Sequence, residues 1–147
     1  MDAELPVAIG FTGTRAGMTD AQKASVLLFL DRYHQFIAHH GACAGADEEF
    51  DQIARYRTGF CAMVVHPSTL RPAPYSALSE ADIVHTPRPP LVRNRDIVAG
   101  SELLIATPKE DHMVTRSGTW ATVRYALSAD KPVYVVVPSG GLIRWFG

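Results

Sequence analysis

Arg93-Asn94-Arg95-Asp96-Ile97-Val98-Ala99-Gly100-Ser101, followed at once by Glu102-Leu103-Leu104-Ile105-Ala106-Thr107-Pro108, is the stretch that orders the rest of the chain. The spacing predicts a short helix near 94–100 with an arginine pair at its mouth, then a buried strand over 103–107. The same sequence of parts recurs downstream. Arg116-Ser117-Gly118-Thr119 opens a helix expected over about 119–129, with Trp120, Val123 and Leu127 on one face, and Val133–Val137 forms another apolar strand. Guanidinium forks and glycine-opened helix N-termini suit bound phosphate, because the fork matches the oxygens and the helix start offers free N–H groups.

Working back toward the N-terminus, Val7–Phe11 is an apolar strand that breaks at Thr12-Gly13-Thr14-Arg15-Ala16-Gly17. Thr19 and Gln22 have capping-box spacing. Val26, Leu30, Tyr33 and Ile37 then form a stripe that predicts one helix to about His40, closed by Gly41. A short strand is expected at Ala42-Cys43-Ala44 and a second helix from Gly45-Ala46-Asp47, with Phe50, Ile53, Ala54 and Tyr56 inward and its end by Gly59. Phe60–Val65 is a third strand. The segment 66–92 holds six of the ten prolines and reads as an irregular insertion, with one short helix near 76–81. The tail Leu142-Ile143-Arg144-Trp145-Phe146 is expected either to cap the sheet or to pack on a second copy.

Composition narrows the function classes. The 147 residues are 47% apolar and 20% charged, which suits a single globular domain. No apolar run reaches membrane-spanning length, and the acidic start lacks a signal-peptide pattern, so a cytoplasmic protein is expected. A net charge of −1 gives no bulk basic surface for nucleic acid. Eleven of the fourteen basic residues are nevertheless arginine, the better fork for phosphate. Cys43 and Cys61 lie in apolar segments and read as small core residues. No metal-ligand spacing, hydrolytic triad or Walker loop is present, so no metal and no cofactor are expected.

Strands that are apolar throughout, with helices between them, predict an α/β fold, a Rossmann-like three-layer α/β/α sandwich with a mainly parallel sheet. Ile9, Ala44, Val64, Ile105 and Val135 should be buried in its five core strands. Such sheets hold ligands beyond the carboxyl ends of their strands. The topology gathers there the candidate phosphate ligands Gly13, Thr14 and Arg15; Gly45 and Asp47; Arg93 and Arg95; and Arg116, Ser117, Gly118 and Thr119. Residues i and i+2 of a helix diverge by about 200°, so one of Arg93 and Arg95 should face the crevice while the other pairs with Asp96 or the sheet edge. Asp47 reads as an N-cap or as a hydrogen-bond partner of a ribose or base. Glu48 and Glu49 read as solvated first-turn carboxylates, His39-His40 as a helix end, and His66 as part of the crevice rim.

These motifs, in this order, resemble the Rossmann-like core of the DNA-processing protein A (Smf) family over nearly the whole chain. The wider SLOG superfamily also holds the "lonely guy" phosphoribohydrolases and nucleotide-sensing domains. The resemblance implies a nucleotide or nucleotide-derived small molecule as partner, alternatively single-stranded DNA, and self-association as a homodimer. It also raises nucleotide N-glycosidase chemistry as a further alternative, for which Asp47, Glu48 and Glu49 are the first suspects. The phosphoribohydrolases carry a catalytic glutamate in a Gly-Thr-x-x-Glu motif, and alignment puts Thr122 in its place, so catalysis is not expected.

Overall fold

A computed structural model describes residues 5–70, 78 and 80–147. The described elements are β1 (Val7–Gly13), α1 (Asp20–Leu30), β2 (Phe36–His40), α2 (Ala46–Arg55), β3 (Phe60–Val65), β4 (Ile83–Val84), α3 (Pro90–Ala99), β5 (Leu103–Thr107), α4 (Gly118–Ser128), β6 (Val133–Val136) and β7 (Leu142–Trp145). They build one seven-stranded sheet in the order β4-β3-β2-β1-β5-β6-β7. All pairings are parallel except β6 with β7.

Two apolar layers hold the helices to the sheet, giving the expected three-layer sandwich. On one side Phe11 stacks on Phe50 with ring centroids 4.2 Å apart, and Phe29, Leu30 and Phe36 complete the layer beneath α1 and α2. On the other, Trp120, Val123, Leu104 and Val133 pack beneath α4, with Val98 of α3 joining them. Thr19 and Gln22 form the expected capping box. Gln22 does more: its buried side-chain amide donates to the carbonyls of Pro108 (2.9 Å) and Val136 (2.8 Å), tying α1 to the ends of β5 and β6. No helix among the described residues is long and apolar enough to cross a membrane.

Several sequence expectations need correction. The first helix ends at Leu30, not near His40, and the second strand is Phe36–His40, not 42–44. Nothing between Asp31 and Gln35 forbids a helix. Strand pairing decides the matter, because Phe36–His40 inserts between β1 and β3 and is hydrogen-bonded on both sides. Beyond Leu30 the helical spacing of Tyr33 and Ile37 is coincidence. Ala44 is consequently exposed, not buried, and Tyr56, which follows the last residue of α2 as its C-cap, is exposed and not inward, while Ile9, Val64, Ile105 and Val135 are core residues as expected. The helix with the arginine pair starts at Pro90, so Arg93 and Arg95 lie inside it and not at its mouth. Part of the proline-rich insertion is regular, since Ile83–Val84 adds an edge strand. Most of the helix expected near 76–81 lies outside the described residues. The tail forms β7 on the chain's own sheet, with Trp145 against Trp120 at 5.2 Å between ring centroids.

His39 and His40 end a strand and not a helix, and they point to opposite faces of the sheet. His40 is fully buried; its Nε2 donates to Asp51 Oδ2 (2.6 Å) and its Nδ1 accepts from the Ala42 N–H (2.9 Å). That bond anchors Ala42 in the left-handed region at φ 55°. His39 meets His66 at 3.0 Å (Nδ1 to Nε2), and His66 stacks on His85 with ring centroids 4.4 Å apart. Burial, reinforced by the neighbouring imidazoles, pushes the His39 pKa down to about 4 and that of His66 down to about 3.

Beyond the packing of Ile97 and Val98, α3 is hydrogen-bonded to the sheet ends through Arg93. The buried guanidinium of Arg93 donates from Nη1 to the carbonyls of Gly41 (2.6 Å) and His66 (3.2 Å), which follow β2 and β3. Its Nη2 donates to Cys43 Sγ (3.4 Å) and its Nε to Asn94 Oδ1 (2.8 Å). A Cβ on Gly41 would stand 2.5 Å from Nη1, so a larger residue there displaces the guanidinium.

Two predictions follow from these contacts. Arg93→Ala strands two carbonyls at the sheet ends and should lower unfolding stability by about 2–4 kcal/mol in urea titrations. A loss below about 1 kcal/mol would show that α3 is held by packing alone. His39 and His66 stay neutral in the fold but gain protons in the unfolded chain below about pH 6.5, so stability should fall as pH drops from 6.5 toward 4. Each contributes a slope of up to about 1.4 kcal/mol per pH unit. Asp47, whose carboxyl is pushed up by burial, acts in the opposite sense. The decisive measurement is therefore the difference in slope between wild type and His39→Gln, which should be flatter.

Candidate functional site

The strand order reverses at β1, where β2 lies on one side and β5 on the other. The loops leaving the carboxyl ends of these three strands part to enclose a crevice of about 430 Å³. α3 forms one wall and the start of α4 another.

Of the candidate ligands, Gly13, Thr14, Arg15, Asp47, Arg93, Arg116, Ser117, Gly118 and Thr119 line this crevice. Two do not. Gly45 is the N-cap of α2 at φ 85°, and it sits so close beneath the Arg15 carbonyl that no Cβ would fit. It fixes the approach of α2 to the β1 loop from behind. Arg95 is exposed on another face of α3, with its guanidinium carbon 5.1 Å from the Tyr125 ring centroid. The arginine pair does split as helical geometry requires, but Arg95 stacks on α4 while Asp96 pairs with Arg88.

Three helix N-termini reach the region, those of α2, α3 and α4, and the two that open with glycine differ. α2 carries Asp47, Glu48 and Glu49 in its first turn, so its positive end is already answered. Asp47 is not the N-cap; it lies inside the helix, buried, with Oδ2 accepting from the Cys43 N–H (3.1 Å). Burial raises its carboxyl pKa, against the lowering effect of His40, the Cys43 N–H and Arg93. Glu49 is not simply solvated, since it accepts from the Met18 N–H (2.6 Å) and pairs with Lys23 (3.0 Å).

α4 has no acidic residue in its first turn. Ser117 caps it by accepting from the Trp120 N–H (3.2 Å), which leaves the Gly118 and Thr119 N–H groups without acceptors among the described residues. Space beside the Gly118 Cα is open. The hydroxyls of Thr12 and Thr119 belong to residues more than nine-tenths buried that line the crevice, and neither has a hydrogen-bond partner among the described residues. Arg15, Lys109 and Arg116 also line it, exposed and without an ion-pair partner among the described residues. Facing them is Glu110, held by the Trp120 Nε1–H (3.0 Å).

Sequence reasoning passed over the α3 wall, where Pro90, Leu91, Asn94 and Ile97 face the crevice. Pro90 was the usable signal, because proline is favoured in the first turn of a helix and moves the start back by a full turn. Cys43 lines the crevice half-buried and Cys61 is exposed, so neither is a core residue. His66 turns its ring to His39 and His85, not to the crevice. Thr122 is buried and donates to the Gly118 carbonyl (2.8 Å). Among the described residues no cluster of histidine, cysteine and carboxylate side chains fits a metal ion.

No family model matches the chain, and no curated protein matches it in sequence. Solved structures do. The molybdenum cofactor binding protein of the phototrophic bacterium Rippkaea orientalis superposes with a TM-score of 0.68 at 22% identity, over 92% of this chain and 78% of that one. DNA processing protein A of Streptococcus pneumoniae gives 0.66 at 17% identity, over 88% of this chain and half of that one. TM1055, a structural-genomics target, gives 0.61 at 13% identity, over 86% and 72%. The chain has the Rossmann-like α/β fold that these three proteins share.

Proposed function

We propose that the crevice binds a nucleotide-type ligand through its phosphate. The start of α4 carries this proposal. Two unanswered N–H groups lie on a helix end free of carboxylates, beside the crevice-lining hydroxyl of Thr119 and the side chain of Arg116. Such an end attracts an anion through both its N–H groups and its dipole. Gly13, Thr14 and Arg15 supply the opposite lip, while Arg93, mostly committed to protein acceptors, positions the loops. A volume of about 430 Å³ suits a small molecule.

Single-stranded DNA is the second candidate, favoured by the fold shared with DNA processing protein A. The net charge of −1 argues for a local pocket over a long polyanion track. For N-glycosidase chemistry the candidate acid is Asp47, the one carboxylate of the α2 first turn in the crevice. We further propose a cytoplasmic homodimer formed by this single domain. Both cysteines are free, and Ile143 of β7 and Phe146 directly after it are exposed.

A thermal-shift panel of mono-, di- and cyclic nucleotides and short oligonucleotides should raise the unfolding midpoint by mass action. Arg116→Ala and Thr119→Val should each weaken binding of the best nucleotide by about 1–3 kcal/mol, roughly five- to more than a hundredfold in Kd. Unchanged affinity in both variants would remove the α4 site. Binding that appears only with oligonucleotides and collapses with added salt would select DNA, and release of free base would select the glycosidase. Elution as a monomer at tens of micromolar would exclude the dimer.

A further inference from the structure

We infer that the crevice face of α3 is a wall for a nucleobase, on which the Asn94 amide is the uncharged hydrogen-bond donor, so that the ligand meets it with an acceptor atom. This rests on the phosphate proposal above.

Besides Arg93, α3 presents Pro90, Leu91, Asn94 and Ile97 to the crevice. Positions 90, 94 and 97 share a helical stripe and 91 lies beside it, so they form one continuous face. Three of the four are apolar, and Leu91 is 63% exposed. An aliphatic shelf at the edge of a cationic crevice fits a flat ring joined to a phosphate.

The orientation of Asn94 follows from its neighbour. Arg93 Nε can only donate, so the Asn94 atom 2.8 Å away must be the carbonyl oxygen. The usual ambiguity of an amide is thereby removed. Its NH₂ group then points away from Arg93, and no acceptor among the described residues takes either hydrogen. A half-buried donor within an apolar face selects a ring edge with a carbonyl oxygen or an unprotonated ring nitrogen. A sugar phosphate without a base leaves the donor unanswered and Leu91 uncovered. Sites built to hydrogen-bond a group discriminate strongly against analogues that lack it.

The test is calorimetric, with AMP, GMP, CMP, UMP and ribose 5-phosphate as probes. The quantity read is the ratio of the best nucleotide affinity to that of ribose 5-phosphate, which cancels any uniform effect of changed charge. Wild type should show a ratio of at least tenfold. In Asn94→Asp the carboxylate can still accept from Arg93 Nε, so the thermal midpoint should be retained while the ratio falls to within about twofold of unity. Asn94→Leu, which removes the donor without adding charge, should reduce it likewise. A ratio that survives in both variants, or a wild type that does not prefer nucleotides, overturns the inference and leaves the phosphate site standing. A wild type that binds neither nucleotides nor ribose 5-phosphate overturns the phosphate proposal and this inference with it.

Discussion

One guanidinium determines how the upper half of the molecule is arranged. The carbonyls that follow β2 and β3 belong to residues 41 and 66, far apart in the chain, and each must find a donor once the strands end. Arg93 serves both with a single nitrogen. Its position fixes the α3 wall, and through Nε it fixes the Asn94 amide. Desolvating a guanidinium is costly, so the arrangement requires nearly all its N–H groups to be met. Four of the five contacts are supplied by this chain. A lysine could not reproduce that fork.

The contrast between the two helix starts shows how the fold separates a structural end from a binding end. Both α2 and α4 point their positive ends toward the crevice region. At α2 the field is met by the chain's own carboxylates, and the backbone is pressed against Arg15 through Gly45. At α4 it is left unanswered, and the cap is a neutral serine. Sequence alone marks both as glycine-opened helices. Only the acids that follow Gly45, and the absence of acids after Gly118, tell them apart.

The legibility of the fold follows from which forces act locally. β1, β3, β5 and β6 are apolar runs bounded by turn residues, and they were readable because burial on both faces, in β3 over Met63–Val65 only, leaves a continuous signature. α2 and α4 were readable from their openings. β2 was not, because Phe36-Ile37-Ala38 fits either a helix or a strand, and the choice is made by neighbours more than twenty residues away. Nine of the eleven candidate ligands line one crevice because topology, not local propensity, gathers strand ends. The α3 wall was missed for a smaller reason: its helix begins a turn earlier than the arginines suggest.

β7 reverses direction, pairing Trp145 with Val133 at the entry of β6. The chain therefore leaves the sheet at the pole where β1 enters it, with the whole length of the strands between that pole and the crevice. Both described ends thus face away from any bound molecule. A surface tether, a fluorescent label or an appended polypeptide attached at either end would leave the crevice mouth open and outward-facing, and joining the two ends to two anchors would orient it without blocking it.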